Sequence, residues 1–97
     1  MYGTIARLWP KQGMEQQLMN LAQEQARDIP GWVANYVYRM EANPREYYLV
    51  VMFESKEAYI ANAASPEQDA RYRKLRELME NDPDWHDGEV VAADTVQ

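Results

Sequence analysis

The sequence contains no cysteine. Disulfides, thiolate nucleophiles and thiolate metal sites are therefore excluded, and the composition fits a cytoplasmic protein. There is one histidine, His86, the one side chain whose ordinary pKa lies near neutrality. Its neighbours Asp82, Asp84 and Asp87 stand at irregular spacing and make no metal-ligand motif. Basic residues are outnumbered, ten against sixteen acidic ones, for a net charge of −6. Nucleic acid attracts proteins chiefly through lysine and arginine, so neither nucleic acid nor an acidic membrane surface is an expected partner. The cluster Arg71, Arg73, Lys74, Arg76 is offset by Glu67, Asp69, Glu77 and Glu80, and reads as a solvated helix face. Long apolar runs are missing too. The longest, Tyr47 to Phe53, is far too short to span a bilayer. The opening residues lack a basic start followed by an apolar stretch, so no signal peptide is expected.

What is present suits one compact domain over residues 1–97, with 46% hydrophobic and 27% charged residues. Tyr2 to Trp9 is rich in apolar and aromatic residues and stops at Pro10, which predicts a first strand. Met14, Leu18, Leu21, Ala22 and Ile29 recur at helical spacing and predict an amphipathic helix over about Gly13 to Asp28, ended by Pro30-Gly31. Trp32 to Met40 and Tyr47 to Phe53 read as strands joined by the turn at Ala42 to Arg45. Ser55 can cap a short helix through Ala63. Ser65-Pro66-Glu67-Gln68 opens another, expected to bury Ala70, Tyr72, Leu75, Leu78 and Met79. After a loop with Trp85, His86 and Gly88, Glu89 to Val96 reads as the last strand. The order is β-α-β-β-α-β, a ferredoxin-like α+β fold with a four-stranded antiparallel sheet.

An antiparallel sheet with one wet face alternates apolar and polar residues. Tyr47 to Phe53 does not alternate. In the preceding strand Trp32, Ala34, Tyr36, Tyr38 and Met40 are expected on one face, and Val33, Asn35, Val37 and Arg39 on the other. Helices cover only one face of such a sheet. The other is expected to be covered by a second copy in a homodimer.

Lys11-Gln12-Gly13, Pro30-Gly31-Trp32, the run Leu49 to Tyr59 with its Phe53-Glu54-Ser55 junction, and Ser65-Pro66 resemble the antibiotic biosynthesis monooxygenase family of dimeric α+β barrels. The resemblance spans nearly the whole chain, and its motifs are structural signals. It implies a ligand site between sheet and helices. The family includes cofactor-free monooxygenases acting on anthrones or quinols, haem-degrading enzymes and members without known activity. The haem-degrading residues do not carry over: their positions fall on Asn62, Tyr72 and near Ala6, so the iron-binding histidine is missing. The helical histidines of quinol-oxidising members become Asn62 and Glu67.

The resemblance places Asn62 and Tyr72 on the ligand wall. An amide at Asn62 could hydrogen-bond a substrate oxygen, and the Tyr72 hydroxyl could donate to a phenolate. Asn62 also reads as a helix-end residue and Tyr72 as a core aromatic. His86 is a candidate base if its segment folds over the pocket. Thr4, Ala6 and Leu8 alternate onto one face of the first strand and are expected to line the cavity, with Trp85 closing it or packing across the dimer. Gly3, Ile5, Arg7 and Trp9 are expected to face the partner subunit. The expected activity is cofactor-independent oxidation of a small phenol, anthrone or quinol-like substrate. The alternatives are a non-catalytic ligand-binding or stress-related dimer, and an isomerase of a polar metabolite.

Overall fold

β1 (Tyr2–Leu8) lies inside the sheet, between β3 (Tyr47–Phe53) and the edge strand β4 (Asp84–Glu89). β2 (Trp32–Arg39) forms the other edge, giving the order β2-β3-β1-β4 with every neighbour antiparallel. The computed structural model describes residues 1–24 and 28–96. Three helices complete it: α1 (Glu15–Glu24), α2 (Lys56–Ala63) and α3 (Pro66–Glu77). This is the expected ferredoxin-like α+β fold. The expected continuation of α1 over 25–27 lies outside the described residues, and Asp28 sits in a turn.

Local chemistry sets these boundaries. Gly13 and Gly31 take φ of 87° and 77°, a conformation that residues with a Cβ rarely adopt. They mark the entry to α1 and the entry to β2. Ser55 Oγ accepts from the Ala58 N–H, and Ser65 Oγ accepts from the Gln68 N–H. Each serine thus satisfies one of the orphan donors of a first helical turn. Gln68 does not return the favour. Its side chain turns to Asn62 and Arg71, and the Ser65 N–H donates to the Asn62 carbonyl.

The expectation for the last strand is overturned. Strand pairing covers Asp84–Glu89, the segment read as a loop, and not Glu89 to Val96. The reason lies in β1. The Lys11 N–H donates to the Leu78 carbonyl and the Glu80 N–H to the Trp9 carbonyl, so the chain leaves α3 already against the end of β1. It then runs antiparallel along β1 from Arg7↔Asp84 to Tyr2↔Glu89. One last bond joins the Val90 N–H to the Met1 carbonyl. The available partner backbone, not the apolarity of Val90 and Val91, decides where this edge strand lies. Ala70 also departs from expectation and is exposed, while Met79 is buried.

Register sorts the side chains. Tyr2, Thr4, Ala6 and Leu8 share the helix-covered face with Phe53, Val51, Leu49 and Tyr47. The core gathers Ala6, Leu8, Leu18, Tyr47, Leu49 and Met79 on that face. A bulge between Trp32 and Ala34 inserts Val33 and shifts the pleat by one residue. Trp32 therefore joins Asn35 and Val37 on the helix face, against the simple alternation that groups it with Tyr36 and Tyr38. The opposite face carries Ile5, Tyr36 and Tyr38 at 47%, 60% and 57% exposure.

Candidate functional site

The helices do not seal their side of the sheet completely. A cavity of about 490 Å³ remains between them and the strands. Thr4, Leu49, Val51 and Phe53 form the sheet side, joined by Trp32 and Asn35 from β2 and by Trp85 and Asp87 from β4. Leu21 and Ala22 of α1 close one flank. Tyr59 and Asn62 of α2, with Gln68, Arg71, Tyr72 and Leu75 of α3, form the roof. The lining is mostly apolar and aromatic with a few convergent polar groups, the usual make-up of a small-molecule site.

Three polar groups meet at the junction of α2 and α3. Asn62 Nδ2 donates to Gln68 Oε1 at 3.2 Å. Arg71 Nη1 donates to Asn62 Oδ1 at 3.4 Å and to Gln68 Oε1 at 3.3 Å. An amide nitrogen carries two N–H donors, so one N–H of Asn62 has no partner among the described residues. The neighbouring Tyr72 ring stands 6.3 Å from the Trp85 ring at 49°. The backbone carbonyl of Asn62 also does the helix-end work foreseen for this residue, accepting from Ser65 N–H and Ser65 Oγ.

A second polar group links α2 to β4. Tyr59 Oη donates to Asp87 Oδ1 at 2.7 Å. Beneath it Thr4 is only 2% exposed, and its hydroxyl finds no hydrogen-bond partner among the described residues. Thr4 lies close enough to favour the ionised Tyr59 slightly, but no hydrogen bond of ordinary geometry joins them. A third group is Trp32 Nε1, which donates to Asn35 Oδ1 at 2.7 Å, while Asn35 Nδ2 reaches the Ala22 carbonyl at 3.4 Å. The indole and the amide thereby tie β2 to α1 along the cavity wall.

The Tyr59 hydroxyl is held neutral, its pKa well above the ordinary tyrosine value. Burial is the largest cause, followed by the hydrogen bond to Asp87 and the charge of Asp87. The folded protein thus binds this proton more tightly than the unfolded chain does. The stabilisation is complete below pH ~10 and is lost as pH rises from there toward the folded-state value. Urea midpoints measured from neutral pH to about pH 11 are expected to fall less steeply for Tyr59→Phe than for the unaltered protein. Parallel slopes would remove Tyr59 as the source.

Of the residues singled out by sequence, Asn62, Tyr72, Thr4 and Trp85 come together around the cavity. Ala6 and Leu8 share its face but are closed off in the core with Leu18 and Met79. His86 does not approach it. The register pairs His86 with Ile5, so alternation along β4 sends Trp85 and Asp87 to the cavity and His86 to the opposite face. There His86 Nε2 lies 3.3 Å from Asp84 Oδ2, and both side chains are exposed. Trp32, Asn35, Tyr59, Gln68, Arg71 and Asp87 are lining residues that sequence reading missed. The bulge hid Trp32, and the misplaced strand hid Asp87. Asn35, an amide within the apolar and aromatic run Trp32 to Tyr38, was the one visible signal.

Among the described residues no group of three or more His, Asp or Glu side chains is placed to hold a metal ion. No helix among them is long and apolar enough to cross a membrane.

Comparison with known proteins agrees with the fold. The antibiotic biosynthesis monooxygenase family matches residues 1–74. A candidate antibiotic biosynthesis monooxygenase from Chloroflexus aurantiacus superposes with a TM-score of 0.80 at 20% identity, covering 99% of this chain and 98% of its own. SnoaB, a cofactor-independent oxygenase from Streptomyces nogalater, gives 0.80 at 15% identity over 95% and 94%. A Mycobacterium tuberculosis protein gives 0.77 at 18% identity over 97% and 98%. Among curated proteins nothing matches.

Proposed function

Because the chain belongs to the antibiotic biosynthesis monooxygenase family, we propose that it is a monooxygenase that oxidises a small, flat phenol, anthrone or quinol in the cavity between sheet and helices. The observation that carries this reading is the cavity lining. Aromatic and aliphatic walls surround an amide and a guanidinium on one side and a neutral tyrosine on another.

In such a reaction the substrate supplies the electrons, so no resident cofactor is called for. Deprotonation gives a delocalised anion, which reduces oxygen. For an anthrone, the ring CH₂ and one O₂ become a carbonyl and one water. The protein's share is to bind the ring, favour the anion and keep water out. Trp85, Trp32 and Tyr72 offer surfaces for the ring. Asn62 presents its remaining N–H to a substrate oxygen. Thr4 offers a buried hydroxyl that lacks a partner among the described residues, and a substrate oxygen would satisfy it.

Oxygen uptake by chelator-treated protein with a panel of anthrones and hydroquinones tests the reading. Turnover above the autoxidation of each compound is expected for at least one. Saturable binding without turnover would instead favour the non-catalytic ligand-binding alternative.

We infer also that two copies associate through the uncovered sheet face, a reading supported by the exposed Ile5, Tyr36 and Tyr38. On that face Arg7 pairs with Glu46 and lies 4.5 Å over the Trp9 ring. Light scattering is expected to give twice the 11.4 kDa chain mass. The double variant Tyr36→Glu, Tyr38→Glu is expected to give the single mass. A monomeric unaltered protein at micromolar concentration would contradict the inference.

A further inference from the structure

The sequence groups Arg71 with three other basic residues on a solvated helix face. The structure separates it from them. Among the described residues, Arg7, Arg45, Arg73 and Arg76 each have a carboxylate within salt-bridge reach. Arg39, Lys11, Lys56 and Lys74 are exposed to water. Arg71 is half-buried on the cavity wall, and no carboxylate among the described residues pairs with it. Its partners are two neutral amide oxygens at 3.3 and 3.4 Å, beyond the usual range for an N–H···O bond. Both are reached from Nη1, which leaves Nε and Nη2 without a partner among the described residues. A guanidinium carries five donors and keeps its charge at any ordinary pH. A partly desolvated cation held this loosely is poised to exchange weak amide contacts for an anionic oxygen.

The cavity's carboxylates do not compete for that role. Asp69 is engaged by Arg73 at 3.0 Å, and Asp87 accepts from Tyr59. Tyr59 is neutral, so Arg71 is the single positive group among the described lining residues.

We propose that Arg71, steered by Asn62 and Gln68, binds the ionised oxygen of the substrate, so that the site selects acidic phenols, enols or carboxylates as their anions. This rests on the reading of the cavity as a substrate site. It names the ligand's charge state and the residue that recognises it. Asn62 is then both a direct donor and the group that aims the guanidinium. The ligand's proton leaves to solvent on binding.

A chromophoric probe tests this without turnover. A hydroxyanthraquinone absorbs at longer wavelength as its phenolate, and its methyl ether cannot ionise. Binding to the protein is expected to lower the probe's apparent pKa by about one unit, seen as growth of the phenolate band below its solution pKa. Arg71→Gln is expected to abolish that shift and weaken phenolate binding by about 10- to 100-fold, the worth of hydrogen bonds to a charged group. The methyl ether is expected to bind both proteins alike. Lys74→Gln, on the same helix but exposed and outside the cavity, is expected to leave the shift intact. A bound probe that stays neutral, an ether that binds as tightly as the phenolate, or no binding of either would overturn the assignment. Arg71-dependent phenolate binding without oxygen uptake would leave the anion site standing and remove the monooxygenase reading. Turnover unaffected by Arg71→Gln would do the reverse.

Discussion

Asn62→Ala is expected to lower turnover of a quinol or anthrone by about 10²- to 10³-fold, the usual loss when one donor to a developing oxyanion is removed. Asn62 holds two positions at once. One of its N–H groups reaches Gln68, the other has no partner among the described residues, and its Oδ1 accepts from Arg71. Alanine removes the donor and releases the guanidinium together. The loss is expected in kcat more than in KM, because the oxygen gains its charge in the transition state. Combining the substitution with Arg71→Gln is expected to cost far less than the product of the two separate losses, since the groups act as a unit. Folding serves as the control. The Ser65 cap uses the backbone carbonyl of Asn62, which alanine retains, so the thermal midpoint is expected to move little. A large drop in stability with unchanged turnover per folded molecule would make Asn62 structural only.

The largest effect on stability is expected at Phe53. It is among the largest fully buried side chains, at the end of β3 where the sheet passes under α2. Its ring meets the Tyr59 ring edge-on at 5.6 Å, and Tyr59 in turn meets Tyr2 at 5.2 Å. Phe53→Ala is expected to cost about 3–5 kcal/mol, read from urea or thermal unfolding. That corresponds to at least ~12 °C in Tm for a chain of this size. Phe53→Leu, which keeps most of the volume, is expected to cost roughly 1.5 kcal/mol or less. A loss below about 1 kcal/mol for the alanine variant would mean that the cavity collapses onto the vacated space.

The cavity also explains why the site was only half legible in the sequence. Alternation placed Thr4 on the helix side because nothing interrupts β1. It failed at Trp32, because one bulge residue reverses the pleat and the bulged residue, Val33, is chemically ordinary. Family likeness brought out Asn62 and Tyr72, and both line the cavity. The same likeness said nothing of Arg71, whose separation from Arg73 and Arg76 depends on helix phase and on where Asp69 and Asp82 lie. The fold order was readable because Pro10, Pro30-Gly31 and Ser65-Pro66 punctuate the chain. β4 was not, because an edge strand made of Asp, Trp, His, Asp, Gly and Glu has no apolar pattern to read. Its position follows from the backbone of β1, which a local reading does not see. His86 illustrates the consequence. Read as part of a loop it could reach anywhere; read as a strand residue opposite Ile5 it is committed to the other face.

Tryptophan fluorescence offers the most direct test of the central claim, that the space between sheet and helices is the ligand site. Trp32 and Trp85 line that space, whereas Trp9 lies with Arg7 on the opposite face. In the Trp9→Phe protein only the two cavity indoles remain. Titration with a hydroxyanthraquinone is expected to quench their emission saturably at one ligand per chain, and Asn62→Ala is expected to weaken that binding. Emission that falls linearly with ligand and never saturates would contradict the account.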